Sequence, residues 1–444
     1  MRRNLILFAP ALAPALTLAA AGPLAAQDIT PASGIGADGE YIFNTLLFLL
    51  GGILVFWMAA GFAMLEAGLV RAKNVTTQLF KNIALFSIAG TMYWLIGYKL
   101  MYPGDGWTIA GWVGTLFSPA VIEPVAGAVA GDSYAAGSDF FFQLMFCATT
   151  ASIVSGTVAE RIKIWPFMLF TFVLTGLIYP IEASWLWGEG WLDALGFSDF
   201  AGSTLVHAAG GAAALAGAIF LGPRLGRYKG GRVNPMQGSN LALALLGTFI
   251  LWMGWFGFNG ASQLALGTIN DASDVSRIFV NTNAAAAAGV IAALLTTQFI
   301  YRKIDLTLVL NGALAGLVSI TAEPLFPSIG GAVAIGAVGG VIAVVAVPLL
   351  DRLRIDDVVG AIPVHLIAGF WGTMAVPLSN PETGFVTQFV GFAAIAGFVF
   401  LASALVWMVL RATMGLRVST ETEINGLDTH EMGMNAYPDF VLAK

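Results

Sequence analysis

His207 and His365 each open the same local string, Val-His-x-x-x-Gly, inside apolar stretches of a 444-residue chain that is 58% hydrophobic and 10% charged. An ionisable ring in hydrocarbon surroundings points to function, because burying it is costly and something must repay that cost. Imidazole accepts a proton at one ring nitrogen and releases it from the other, so two such rings side by side form a proton path. The third histidine, His430, lies in a polar C-terminal segment. The single cysteine, Cys147, excludes an intrachain disulfide and any cysteine-built metal site or redox pair. Two unrelated histidines, each satisfied by a neighbouring carbonyl, is the plainer alternative.

The elements that position these rings are membrane helices. A mean hydropathy of +0.82 and repeated windows of about 20 apolar residues are incompatible with a soluble core. The windows fall near 43–65, 78–98, 140–159, 165–181, 204–222, 240–259, 276–301, 306–322, 330–350, 360–377 and 386–410. The expected fold is therefore an all-α polytopic membrane protein of eleven transmembrane helices. Arg2 and Arg3, the apolar stretch Leu5–Leu18 and the small residues Ala19–Ala26 read as a signal peptide over 1–26, with an uncleaved first span as the alternative. The membrane domain then covers 27–411 and a polar tail 412–444.

The net charge of −6 matters less than its distribution. Alternate connections carry Arg71 and Lys73, then Arg161 and Lys163, Arg224, Arg227, Lys229 and Arg232, Arg302 and Lys303, and Arg352 and Arg354. The opposite connections are acidic, with Asp105, Glu123, Asp132, Asp139, Glu182, Glu189, Asp193, Asp199, Asp271, Asp274, Glu323 and Glu382, and Lys99 and Arg277 are almost the only basic residues there. The positive-inside rule puts the N-terminus outside and the C-terminus in the cytoplasm of an inner-membrane protein. An acidic outer surface also concentrates cations, although each acid alone, Asp199 excepted, reads as a solvated loop residue. No feature suggests a nucleic-acid partner.

Spans one to five and six to ten form two five-helix units, and an odd number of helices inverts the second. Inverted repeats place a transport site between the halves near the midplane. His207 falls in span five and His365 in span ten, so a pseudo-twofold axis brings them together. Gly211 and Gly369, one turn further on, allow the two helices to cross closely.

Around these positions the chain closely resembles the ammonium transporter (Amt) family of the Amt/Rhesus superfamily. The resemblance runs from Gly61-Phe-Ala-Met-Leu-Glu-Ala-Gly-Leu-Val-Arg-Ala-Lys-Asn74 to Gly426-Leu-Asp428 and Gly433-Met-Asn-Ala-Tyr437. It includes Asp199-Phe-Ala-Gly-Ser-Thr-Leu-Val-His207, where Ser203 replaces the second glycine of the usual string. It implies that His207 and His365 are the family's twin-histidine pair and that Asp199 is the acid preceding the first of them. A helix-capping role for Asp199, which also lends negative potential to the vestibule, is the favoured reading. Phe142 and Phe146 in Phe142-Gln-Leu-Met-Phe146 match outer aromatic gate positions. Trp187 in Ser184-Trp-Leu-Trp-Gly188 matches the vestibule tryptophan, with Trp185 as the competing register. Phe258 and Ser262, in Gly254-Trp-Phe-Gly-Phe-Asn-Gly-Ala-Ser262, match the second gate ring and the recruiting hydroxyl.

These residue types suit ammonium. Aromatic faces attract a cation by about 0.5–2 kcal/mol each once water is partly removed, and a hydroxyl accepts an N–H bond. Neither separates ammonium from potassium well. Moving a bare ion through an apolar lumen costs tens of kcal/mol on an idealised Born estimate, and neutralisation is the usual escape. Ammonium can lose a proton and potassium cannot. Ammonia then crosses as a neutral solute while the imidazoles, which hold at most one proton between them, relay the charge.

The resemblance further implies a homotrimer, a PII-type signalling protein at the cytoplasmic face, ammonium or ammonia as substrate, no cofactor and no enzymatic activity. Glu66 departs from the pattern, and reads either as a snorkelling or ion-paired carboxylate or as an acid of the inner vestibule. Two other functions compete with transport. One is an ammonium sensor that signals through its tail with little flux; the other is a bis-histidine haem or metal redox protein.

Overall fold

The computed structural model describes residues 35–103 and 133–440. The expected signal peptide, and Asp105, Glu123 and Asp132 of the acidic connections, lie outside the described residues.

Nine helices among the described residues are long and apolar enough to cross a membrane: α1 Gly36–Leu69, α2 Ala72–Met101, α3 Ala136–Thr157, α4 Ile164–Ala183, α5 Ser203–Leu221, α6 Leu241–Ala261, α7 Ile269–Tyr301, α9 Ile329–Arg352 and α11 Phe385–Thr413. Two shorter apolar helices, α8 Leu306–Thr321 and α10 Ile362–Leu378, complete the set. Every apolar window of the sequence falls on one of these helices.

Local signals set the boundaries. Asn240 accepts the N–H groups of Ala242 and Leu243 at the start of α6, and Asp305 accepts those of Thr307 and Leu308 at the start of α8. Thr268 and Asp271 bond each other's backbone in a capping box that opens α7. The all-α expectation misses one feature, a two-residue antiparallel hairpin pairing Tyr228–Lys229 with Arg232–Val233. Its cause is local. Gly230 and Gly231 both have positive φ, 65° and 72°, as the tightest two-residue turn requires.

Packing follows the small residues. α1 crosses α6 so closely that a Cβ on Gly51 would stand 2.2 Å from that of Ala261, and one on Gly247 would stand 2.3 Å from the Leu65 nitrogen. Without a hydrophobic driving force between helices in lipid, such close approach supplies the dispersion and backbone contact that hold them. Elsewhere the helices turn large apolar side chains outward, including Trp165, Phe299 and Leu401. On a membrane protein this is the lipid-facing surface.

At the end of the bundle bearing the basic connections the charges are paired. Arg71 meets Glu160 at 2.5 Å, Arg224 meets Asp356 at 2.8 Å and Glu160 at 3.5 Å, and Arg227 meets Asp351 at 3.0 Å. The buried Arg161 guanidinium donates to the carbonyls of Thr157, Ala159, Gly222 and Asp356. The tail closes over this layer. Lys163 N–H donates to the Leu416 carbonyl and Val418 N–H to that of Arg161, while Asp428 accepts the N–H groups of Thr76 and Thr77 near the start of α2.

At the opposite end three acids read as solvated loop residues are in fact buried, Asp139, Glu182 and Glu323, as is Asp199. Asp139 accepts the Tyr98 hydroxyl at 2.6 Å, and Glu323 accepts the Asn380 amide at 3.1 Å.

Candidate functional site

Both histidines sit in a six-residue turn of π-helix, Ser203–Ala208 at the head of α5 and Ile362–Ile367 at the head of α10. Wide turns of this kind concentrate at functional positions because they free backbone groups and re-aim a side chain. Each turn is held by a carboxylate eight residues before its histidine. Asp199 accepts the N–H groups of Gly202, Ser203, Thr204 and Leu205 at 2.8–3.2 Å. Burial pushes its carboxyl up to about 6 against the lowering effect of those four donors. Asp357 accepts from Gly360 and Ile362 at 3.1 and 2.7 Å and from the Thr157 hydroxyl at 3.0 Å.

Gly202 and Gly360, three residues after each acid, have φ of 101° and 80°. The shared string is therefore Asp-x-x-Gly-x-x-x-x-His-x-x-x-Gly, from Asp199 to Gly211 and from Asp357 to Gly369. Asp357 is the site residue that sequence reasoning missed. Its signal, the common offset of eight from acid to histidine, was present but masked by the adjacent Asp356.

The two turns meet in the protein interior. A Cβ on Gly211 would come within 2.6 Å of the Leu366 nitrogen, and one on Gly369 within 2.7 Å of the Ser203 carbonyl oxygen. Thr204 and Thr373 bond each other across the crossing. His207 and His365 consequently face each other with Nδ1 to Nδ1 at 3.2 Å and ring centroids 5.2 Å apart. Both are buried, and Nε2 of His207 has no hydrogen-bond partner among the described residues. Two rings ligating opposite faces of a haem iron would have the porphyrin between them, and rings in contact at 3.2 Å leave no room for one.

An aromatic stack covers His207. The ring lies on Phe258 at 5.3 Å and on Trp255 at 4.9 Å, a contact the sequence did not suggest. Phe258 stacks on Phe146 at 4.0 Å, and Phe146 meets Phe142 and Trp187 edge-on at 4.7 and 5.7 Å. Phe142, Phe146, Trp187 and Ser262 line one cavity of about 800 Å³, at the end of the bundle away from the basic connections, together with Asp139 and Gln143. Phe258 is fully buried beneath it.

Ser262 Oγ donates to the Phe258 carbonyl at 2.7 Å. Its proton is thereby committed, and its lone pairs are left for a donor in the cavity. Trp187 fixes its indole by donating Nε1–H to the Asp199 carbonyl at 3.2 Å. Trp185 packs instead on Trp191 and Phe398, whereas Trp187 lines the cavity.

Below the histidines a second cavity, of about 20 Å³, is lined by His365, Phe62, Glu66, Ser152 and Asn311 among others. Glu66 is buried there and bonded to Gln78, Asn82 and Ser155, so it does not snorkel.

Residues 46–437 match the model of the Ammonium Transporter Family. The chain belongs to that family. Among ammonium transporter relatives, the "Putative ammonium transporter sll1017" of Synechocystis is 42% identical over 89% of this chain and 90% of its own length. "Ammonium transporter Amt2" of Archaeoglobus fulgidus is 41% identical over 94% and 93%. The solved structure named "Sensor Amt Protein" superposes with a TM-score of 0.82 at 32% identity, covering 89% of this chain and all of that one. Candida albicans Mep2 superposes at 0.78 with 26% identity over 91% and 93%. As a family member, the chain is a multi-pass membrane protein for which ammonium transport is the supported activity.

Proposed function

We propose that the chain carries ammonium inward by separating it into ammonia and a proton. Eleven spanning helices, two inverted five-helix units and a final helix, enclose the path. The N-terminus faces outward after removal of residues 1–26, the membrane domain covers 27–411, and the tail from 412 is cytoplasmic in the inner membrane. Ammonium enters the outer cavity against the π-faces of Phe146 and Trp187 and donates to Ser262. The stacked rings of Phe146 and Phe258, with Phe142 beside them, form a gate with no room for a hydrated ion. Ammonia passes it, and the proton travels through His207 and His365, whose turns Asp199 and Asp357 hold in place.

The observation that carries this reading is the 3.2 Å contact between Nδ1 atoms of two buried imidazoles beneath an aromatic plug. One hydrogen bond joins the two halves of the molecule where a proton must change carriers. The test is the current on a solid-supported membrane after an ammonium jump. Wild-type protein gives a saturable inward charge movement, and His207→Ala abolishes it or admits potassium. Ammonium binding with no current in the wild type would overturn transport.

That same outcome is the one a sensor predicts. This second reading draws support from the similarity to the structure named "Sensor Amt Protein". It also draws on the tail, whose Asp428 and Glu423 contact the basic end of the bundle. A homotrimer with a PII-type partner at that face fits either function.

A further inference from the structure

We infer that Glu66, paired with Lys81, is the inner proton station that takes the relay proton from His365 and hands it on toward the cytoplasmic side. The inference rests on the proton-relay reading above and extends it past the histidines.

Glu66 comes from α1, and α2 and α3 complete its surroundings. Asn82 Nδ2 donates to its Oε2 at 2.6 Å, Ser155 Oγ donates to the same oxygen at 3.0 Å, and Gln78 Nε2 is a third donor. Among the described residues all three donors converge on Oε2, which leaves Oε1. Lys81 Nζ donates to Gln78 Oε1 at 3.0 Å and to the Ser155 carbonyl at 2.8 Å, and it lies 4.6 Å from the centre of the Phe167 ring. Both charged residues are buried.

Gln78 therefore bridges an acid and a base that do not touch. That arrangement differs from a structural ion pair, in which direct contact recovers part of the desolvation cost. Removing two charges from water costs several kcal/mol per ion, and such residues are kept inside membrane proteins where they act. What Glu66 faces is informative. It shares the 20 Å³ cavity with His365, a space large enough for one water.

In the transfer the Nε2–H bond of His365 breaks, one water in the cavity exchanges its proton, and an O–H bond forms on Glu66 Oε1. His365 becomes neutral and Glu66 becomes a carboxylic acid. The positive charges facing this acid are Lys81 from α2 and, beyond Lys81, Arg161 from the α3–α4 connection. Before transfer Lys81 balances the Glu66 carboxylate; afterwards its charge is unbalanced. The protonated state is then short-lived, and the proton leaves for the basic end of the bundle. An ionised Glu66 also offsets the transient charge of imidazolium, which otherwise has only apolar and neutral polar neighbours in this cavity.

The experiment compares wild type, His207→Ala and Glu66→Gln in proteoliposomes on a solid-supported membrane, with infrared difference spectra of each on ammonium addition. Glu66→Gln is expected to lower the ammonium-driven current by about a hundredfold or more, from the low end of what a positioned proton-transfer group contributes. Recorded with time resolution, the wild type is expected to show a transient carboxylic C=O band that Glu66→Gln lacks. Should Glu66→Gln fail to fold, the double variant Glu66→Gln/Lys81→Met leaves no unpaired charge and is read the same way. A full current in either folded variant, with current present in the wild type and lost in His207→Ala, overturns the proton station and leaves the relay reading standing. Absence of current in the wild type overturns both.

Discussion

At the residue scale, Ser262 shows how one hydroxyl is made into an acceptor. Its proton is held by the carbonyl of Phe258, one helical turn back, so only lone pairs are presented to the cavity. Replacing it with alanine removes one hydrogen bond worth about 0.5–1.5 kcal/mol. Ser262→Ala is expected to raise the half-saturating ammonium concentration about two- to tenfold with little change in maximal current, measured as a concentration series of current responses.

The residues singled out in the sequence for chemical reasons lie together in the structure: the twin histidines, the aromatic positions and Ser262 surround the larger cavity or stack beneath it. Trp255 is not among them, since an indole in a run of aromatic residues carries no sign of which ring it will face. Glu66 admits two readings in sequence, which shows the acid without the Gln78, Asn82 and Ser155 donors that hold it inside the protein.

At the element scale the decisive unit is the capped π-turn. Two copies, one in each half, depend on a carboxylate that accepts backbone N–H groups a regular helix start would leave open. Asp357→Asn keeps the shape but replaces one acceptor oxygen with a donor, leaving a buried N–H without its partner at a cost of about 1–3 kcal/mol. The variant is expected to melt at lower temperature and to lose current in parallel, checked by thermal unfolding in detergent.

Helix positions were legible because about 20 apolar residues in succession leave few alternatives. The turns at their heads were not, because π-helix has no composition of its own and arises from caps and close packing. The Gly230-Gly231 hairpin does carry a signal, its paired glycines, but within a loop dominated by positive charge.

At the scale of the whole molecule, the basic end is tied together by buried ion pairs between connections remote in sequence. Although burial by itself raises the Asp356 carboxyl, the hydrogen bonds and charge of Arg224, with Arg161 nearby, hold it well below the usual carboxylate range. A carboxyl lowered in the folded state stabilises that state above its unfolded value of about 4, and this contribution is lost as pH falls below it. Stability is therefore expected to decline in that acid window, and Asp356→Asn to flatten the decline while lowering stability at neutral pH, as read by melting curves from pH 7 downward. The charge asymmetry that predicts orientation is thus also structural: the same arginines that mark one side of the membrane hold its connections together.

The contact between the two Nδ1 atoms has one more consequence. When both rings are neutral, only one of those nitrogens carries hydrogen, so the rings adopt opposite tautomers and the bond between them points one way. A hydrogen ion arriving at the bare Nε2 of the first ring and leaving from Nε2 of the second reverses that arrow. The pair then resembles a spent ratchet, and a second passage in the same sense must wait until the tautomers are restored. Turnover would be paced by this rewinding as well as by ammonia's crossing.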